Sequence, residues 1–214
     1  MNKEGGNIDI KSVWERMKHG DEKALSEIFS FFYVDLYQYG LKIFHLPDLV
    51  KDSIQDVFMR IWEKRDVIGD VRNPKAYLIS SVRRKLFANK TVHYTDISDE
   101  LLKNEGEKVF SFTSSEFIEI EEISAYLRNS LVQAINNLSE RQRELIFLRF
   151  YYNLRYMEIA QIMEVNEQTV RNLMQRALAK LREKIDRQLW EGIDYMDDLL
   201  LTFFHLFRKK ADFA

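Results

Sequence analysis

Apolar residues recur along most of this chain at the three- and four-residue spacing of a buried helix face. Leu25, Ile28, Phe29, Phe32 and Leu36 form one such stripe, and Gly20-Asp21 ahead of it reads as one helix ending and an N-cap opening the next. Pro47-Asp48 starts a second stripe through Val50, Ile54, Val57, Phe58, Ile61 and Trp62. Asn73-Pro74 supplies an N-cap and a first-turn proline for a third helix through Tyr77, Leu78, Val82 and Leu86. Further on, Leu127, Leu131, Ile135 and Leu138 make a seam, and Ser139 with Gln142 three residues later has the form of a capping box. The pattern predicts an all-α protein.

Between these periodic blocks the pattern lapses. From Thr91 to Glu122 apolar residues are scattered without a sustained period, which reads as a linker. Charge sharpens the division. Residues 1–90 hold 16 Lys and Arg against 13 Asp and Glu, residues 91–125 hold 2 against 9, and residues 126–185 hold 10 against 6. Two mildly basic blocks therefore flank a strongly acidic connector, although the whole chain of 214 residues has a formal net charge of only −2. The expected organisation is a helical domain over 10–90, an acidic linker over 91–124, a second helical domain over 125–185 and an apolar helical extension over 186–214.

Composition removes several classes of function. With no cysteine there are no disulfides, no thiol nucleophile and no zinc–thiolate site, and a reducing cytoplasm fits best. His19, His45, His93 and His205 are isolated, and no Gly-rich phosphate loop is present. The reading is of a protein that is not an enzyme and uses no metal, cofactor or small-molecule substrate. The longest strongly apolar stretch, Leu199 to Phe207, falls short of the ~20 residues needed to span a bilayer.

The most specific local signal lies in the second block. A short helix from Tyr156 to Met163, the turn Glu164-Val165-Asn166 and a second helix from Glu167 form a helix-turn-helix, whose second helix enters the DNA major groove. Asn166 is placed to cap that helix, and Val165 and Val170 sit at the two positions of a hydrophobic staple. Val170, Met174, Ala177, Leu178 and Leu181 keep the core period, which turns Gln168, Thr169, Arg171, Asn172 and Gln175 outward. Arg forks onto guanine, Asn and Gln onto adenine, and the Thr methyl meets thymine. In the turn, Glu164 occupies a position where glycine is easier if the backbone goes left-handed.

Both blocks together resemble an extracytoplasmic-function (ECF) sigma factor of the sigma-70 superfamily, the promoter-recognition subunit of bacterial RNA polymerase. GDEKALSEIFSFFY, DSIQDVFMRIWEKRD and NPKAYLISSVRRKL are similar to sigma region 2, and NLSERQRELIFLRF, YMEIAQIM and TVRNLMQRALAKLR to region 4. The resemblance covers about two thirds of the chain. It implies a core-polymerase docking face at Asp52, Gln55, Asp56, Met59 and Arg60, directed at the beta-prime clamp helices, with the beta flap as a further contact. It implies a −10 reader around Arg72, Asn73, Lys75, Arg83, Arg84 and Lys85. Gln168, Thr169, Arg171, Asn172 and Gln175 would read the −35 element, and Arg141, Arg143, Arg155 and Arg176 are candidate phosphate contacts. An anti-sigma factor is a further expected partner. Arg84, Asn153, Glu164 and Leu173 depart from the common family pattern, Asn153 and Glu164 standing where glycine is frequent.

Two other functions stay open on sequence grounds: a stand-alone helix-turn-helix regulator, and a sigma mimic that sequesters an anti-sigma factor. The linker is either a channel-threading segment or a solvated tether. Beyond the resemblance, Trp190, Ile193, Asp197, Leu200, Phe204 and Phe207 share one helical face, widened by Leu199, Leu201, Phe203 and Leu206. So greasy a helix needs cover. It is expected to dock on the protein's own domains when free, in competition with polymerase or an anti-sigma factor.

Overall fold

The computed structural model describes residues 9–93, 110, 112, 125–186 and 195–211. It divides into two compact units between Glu107 and Lys108. The first holds α1 (Ile10–Lys18), α2 (Glu22–Ile43), α3 (Pro47–Glu63), a 3-10 turn (Arg65–Val67) and α4 (Pro74–His93). The second holds α5 (Ala125–Asn136), α6 (Glu140–Ile146), a π-helical turn (Phe147–Tyr151), α7 (Tyr156–Met163), α8 (Glu167–Lys184) and α9 (Met196–Ala211). The described residues are helical or irregular, with no strand among them, and none of their helices is long and apolar enough to cross a membrane.

The capping chemistry of the sequence is realised in the first unit. Asp21 accepts from the Lys23 and Ala24 amides at 2.9 and 3.2 Å, and Asn73 accepts from the Ala76 amide at 3.2 Å. Gly20 closes α1 at φ +87°, a left-handed cap position. Arg16 ties this junction together by pairing with Asp21 and Glu27, and its guanidinium holds the Asp21 carboxyl below the usual carboxylate range. Ile28, Phe32, Leu36, Val50, Ile54, Phe58, Leu78, Ile79 and Val82 are buried and form the core of this unit. Trp14 brings α1 onto α4, its ring edge-on to Tyr77 at 5.6 Å between centroids. Trp62 differs from the expected core role. It is half-buried, and its ring lies under the Arg65 guanidinium at 4.5 Å instead of inside the unit.

α2 and α3 approach closely at Gly40. A Cβ there would lie 2.5 Å from the Val50 Cγ1, nearer than any side chain tolerates, so glycine is required by contact and not by its backbone angles.

In the second unit, α5 and α6 pack with the helix-turn-helix over Leu131, Ile135, Leu145, Ile146, Ile159, Val170 and Leu181. Two parts of the core come from outside the 125–185 segment. Phe110 and Phe112 are buried at 1% and 2% exposure, within the stretch read as a linker. The Phe112 amide donates to Asn136 Oδ1 at 2.9 Å, and the Phe112 carbonyl accepts from Asn136 Nδ2 at 2.6 Å. One side-chain amide thus satisfies both backbone groups of a residue that has no helix or sheet to satisfy them. The remainder of 94–124 lies outside the described residues.

The second addition is α9. Met196, Leu199, Leu200, Phe203 and Phe204 are buried, so this helix docks on the second unit, against the π-helical turn and α8. Phe204 meets Phe112 and Phe147 at 5.9 and 6.2 Å between ring centroids, while Phe147 stacks on Tyr151 at 4.5 Å. Trp190, Ile193 and the side chains of Leu206 and Phe207 lie outside the described residues.

Candidate nucleic-acid interface

The turn between α7 and α8 positions the candidate reading helix. Glu164 ends α7 in the left-handed region at φ 55°, ψ 46°, as its place in the turn suggested, and Asn153 ahead of α7 is also left-handed at φ 53°. Non-glycine residues bear a cost of roughly 1–2 kcal/mol in this conformation. Glu164 is exposed. Glu164→Gly is therefore expected to stabilise the second unit by about 1 kcal/mol, seen as a higher denaturation midpoint; an unchanged or lower midpoint contradicts it.

Asn166 caps α8 by accepting from the Thr169 amide at 2.7 Å and from Thr169 Oγ1 at 2.8 Å. Val170, Met174, Ala177, Leu178 and Leu181 bury one face. The opposite face leaves Gln168, Arg171, Asn172, Gln175 and Arg176 exposed, with Thr169 half-exposed at its edge. These side chains are partly arranged before any ligand arrives. Gln168 Nε2 donates to Asn172 Oδ1 at 3.0 Å, Arg171 pairs with Glu167, and the Arg171 guanidinium lies over the Tyr156 ring at 5.0 Å.

The four candidate phosphate contacts separate. Arg141 and Arg176 are exposed, and Arg155 is exposed while paired with Glu158 at 2.9 Å, which raises its pKa from the usual arginine value. Arg143 is different. Its Nη1 donates to the carbonyls of Asn136 and Leu138 at 2.6 and 2.9 Å, so it closes the end of α5. Burial lowers its pKa from the ordinary value, partly offset by Glu140. Arg143 is committed to the junction of α5 and α6, and this corrects its reading as a register-setting phosphate contact.

In the first unit, Asp52, Gln55, Asp56, Met59 and Arg60 are all exposed and share the outer face of α3. Met59, at 55% exposure, is an apolar side chain in the middle of that polar face. The residues proposed from sequence as a −10 reader do not form one free basic patch. Arg72 is exposed and lies 3.9 Å from Asp70, and Asn73 is used as the α4 cap. Lys75 pairs with Asp35 at 2.7 Å with both side chains less than one-fifth exposed, so it anchors α4 on α2. Arg83 stacks over Phe87 at 4.8 Å, and Arg84 is exposed. Lys85 pairs with Asp56 at 2.8 Å. That pair joins two residues expected to serve different partners.

The family model for sigma-70 region 4 matches residues 128–181. The ECF RNA polymerase sigma factor SigK of Mycobacterium ulcerans is 20% identical over 183 residues, covering 85% of this chain and 96% of its own. The ECF RNA polymerase sigma factor SigW of Bacillus subtilis is 24% identical over 186 residues, covering 82% and 96%. Residues 128–181 thus match a sigma-70 region 4, and along most of its length the chain is similar to ECF sigma factors. The fold agrees: a chain from the co-crystal structure of the sigma factor RpoE with the anti-sigma factor NepR, from Bartonella quintana, superposes with a TM-score of 0.52 at 22% identity over 75% of this chain and 96% of that one. The region 4 match begins at Arg128 and ends at Leu181, so the Phe110–Phe112 segment and α9 lie outside it. This chain packs both onto the domain that holds the region 4 match.

Proposed function

We propose that this chain directs promoter-specific transcription initiation, binding core RNA polymerase through its first unit and reading promoter DNA through both. The observation that carries the reading is the extent of the likeness: the relatives named as RNA polymerase sigma factors align across 82–85% of this chain, hence across both units. A helix-turn-helix alone is shared with many regulators. The α3 face of Asp52, Gln55, Asp56, Met59 and Arg60 is the proposed surface for the beta-prime clamp helices, because these five side chains, Asp56 with its partner Lys85 included, stand exposed together on one side of the helix. Gln168, Thr169, Arg171, Asn172 and Gln175 are proposed to read the −35 element, at about 1–3 kcal/mol for each good base-edge pair. Arg141, Arg155 and Arg176 set register on the backbone. Arg72, Arg83 and Arg84 remain as the −10 group, where capture of an unstacked base favours easily melted steps. An anti-sigma factor is the further partner, in the bacterial cytoplasm.

The Asp56–Lys85 pair makes the docking face testable. Asp56→Lys is expected to weaken association with core polymerase, and the exchange Asp56→Lys with Lys85→Asp rebuilds the ion pair without restoring the acidic docking face. An exposed pair of this kind contributes under ~1 kcal/mol to stability, so the fold survives either change. Core binding measured by co-sedimentation should stay weak in the double variant. Full recovery there would show that the single variant acted through the lost pair, and the docking assignment would fall.

A further inference from the structure

We infer that Tyr156 is a positioning residue for promoter reading, holding the Arg171 guanidinium where it meets a base edge. The inference rests on the assignment of α8 as the reading helix. Tyr156 opens α7, the helix before α8, and is half-buried. Its ring carries two guanidinium groups, Arg171 from α8 at 5.0 Å and Arg149 from the π-helical turn at 5.5 Å. Arg149 is itself fixed, its Nη1 donating to the Leu154 carbonyl at 3.1 Å. A chain of contacts therefore runs from the core, through Arg149 and Tyr156, to an exposed arginine on the DNA-facing row.

An exposed arginine samples many rotamers, and a fork onto guanine O6 and N7 uses only a few of them. Confining the planar group over a ring face before DNA arrives removes part of that ordering cost, which is how preorganisation raises affinity. Glu167 also holds Arg171. Its carboxylate is repelled by approaching phosphates, and an exposed ion pair is weak. The Tyr156 ring is uncharged and attracts the guanidinium through its quadrupole, so its hold persists in the complex.

The test uses holoenzyme assembled from the full chain and core polymerase, presented with promoter duplexes randomised across the upstream element. Sequencing the bound fraction gives the preference at each base pair. Tyr156→Leu is expected to reduce preference about two- to fivefold at the same base pair that Arg171→Ala affects, leaving the others intact. Tyr156→Phe should keep the wild-type profile, since the ring face is what matters. In the Arg171→Ala background, Tyr156→Leu should add nothing. An additive effect, an equal loss at every base pair, or an unchanged profile in Tyr156→Leu overturns the inference. If the wild type shows preferences and Arg171→Ala alters none of them, the reading role of Arg171 fails, and the role of Tyr156 fails with it.

Discussion

Phe204→Ala is expected to destabilise the second unit by ~3–5 kcal/mol, a large share of the 5–15 kcal/mol that holds a typical domain. Phe204 is fully buried, and its ring touches those of Phe112, Phe147 and Phe203, which arrive from the linker, the π-helical turn and its own helix. Removing it opens a cavity that three separate segments would have to collapse into together. Because neither of the outer two belongs to the 125–185 segment, the measurement also decides whether α9 and the Phe110–Phe112 segment are structural parts of this unit. Urea denaturation of the full chain followed by tryptophan-independent probes, such as far-UV circular dichroism, reads the loss. A change below about 1 kcal/mol would mean that α9 is not docked in solution.

Gly40→Ala is expected to destabilise the first unit by about 1–3 kcal/mol, against the ordinary helical preference for alanine. In a free helix the same change would stabilise by roughly 0.5–1 kcal/mol. Here the new methyl lies 2.5 Å from Val50 Cγ1 and 3.2 Å from Cγ2, and Val50 is fully buried. Separating α2 from α3 to relieve the overlap opens the core along Ile54 and Phe58, so overpacking outweighs propensity. Val50→Ala in the same chain removes both γ-methyls. The double variant should therefore be less destabilised than the two single losses added together. Strict additivity would show that Gly40 and Val50 do not touch.

Much of this architecture is legible in the sequence because it is written in local chemistry. Caps at Asp21, Asn73 and Asn166 act on amides two or three residues away, and the apolar stripes of α2, α3 and α8 follow from helical spacing alone. The left-handed turn at Glu164 follows from the length of the connection between two helices. What the sequence does not disclose depends on partners far away along the chain. Phe110 and Phe112 sit in an acidic stretch with no period, and their burial depends on Asn136, Phe147 and Phe204. Arg143, read as a phosphate contact by its charge, is taken by two carbonyls at the end of α5. Lys75 and Lys85 look like a basic helix face in one dimension, yet each has an aspartate opposite it on another helix. Trp62 falls at the rim of its stripe, where Arg65 covers it. Tyr156 carries no sign of its role until Arg149 and Arg171 are seen on its ring.

A promoter preference given to core polymerase is the activity proposed for this chain. Run-off transcription tests it most directly, using purified core polymerase, the full chain and a pool of genomic promoter fragments from the source organism. Discrete transcripts are expected only when core and chain are both present, and they should diminish when Arg171 and Gln175 are replaced by alanine. Sequence-specific DNA binding by the chain alone, with no core-dependent transcript, would contradict it and identify a stand-alone regulator.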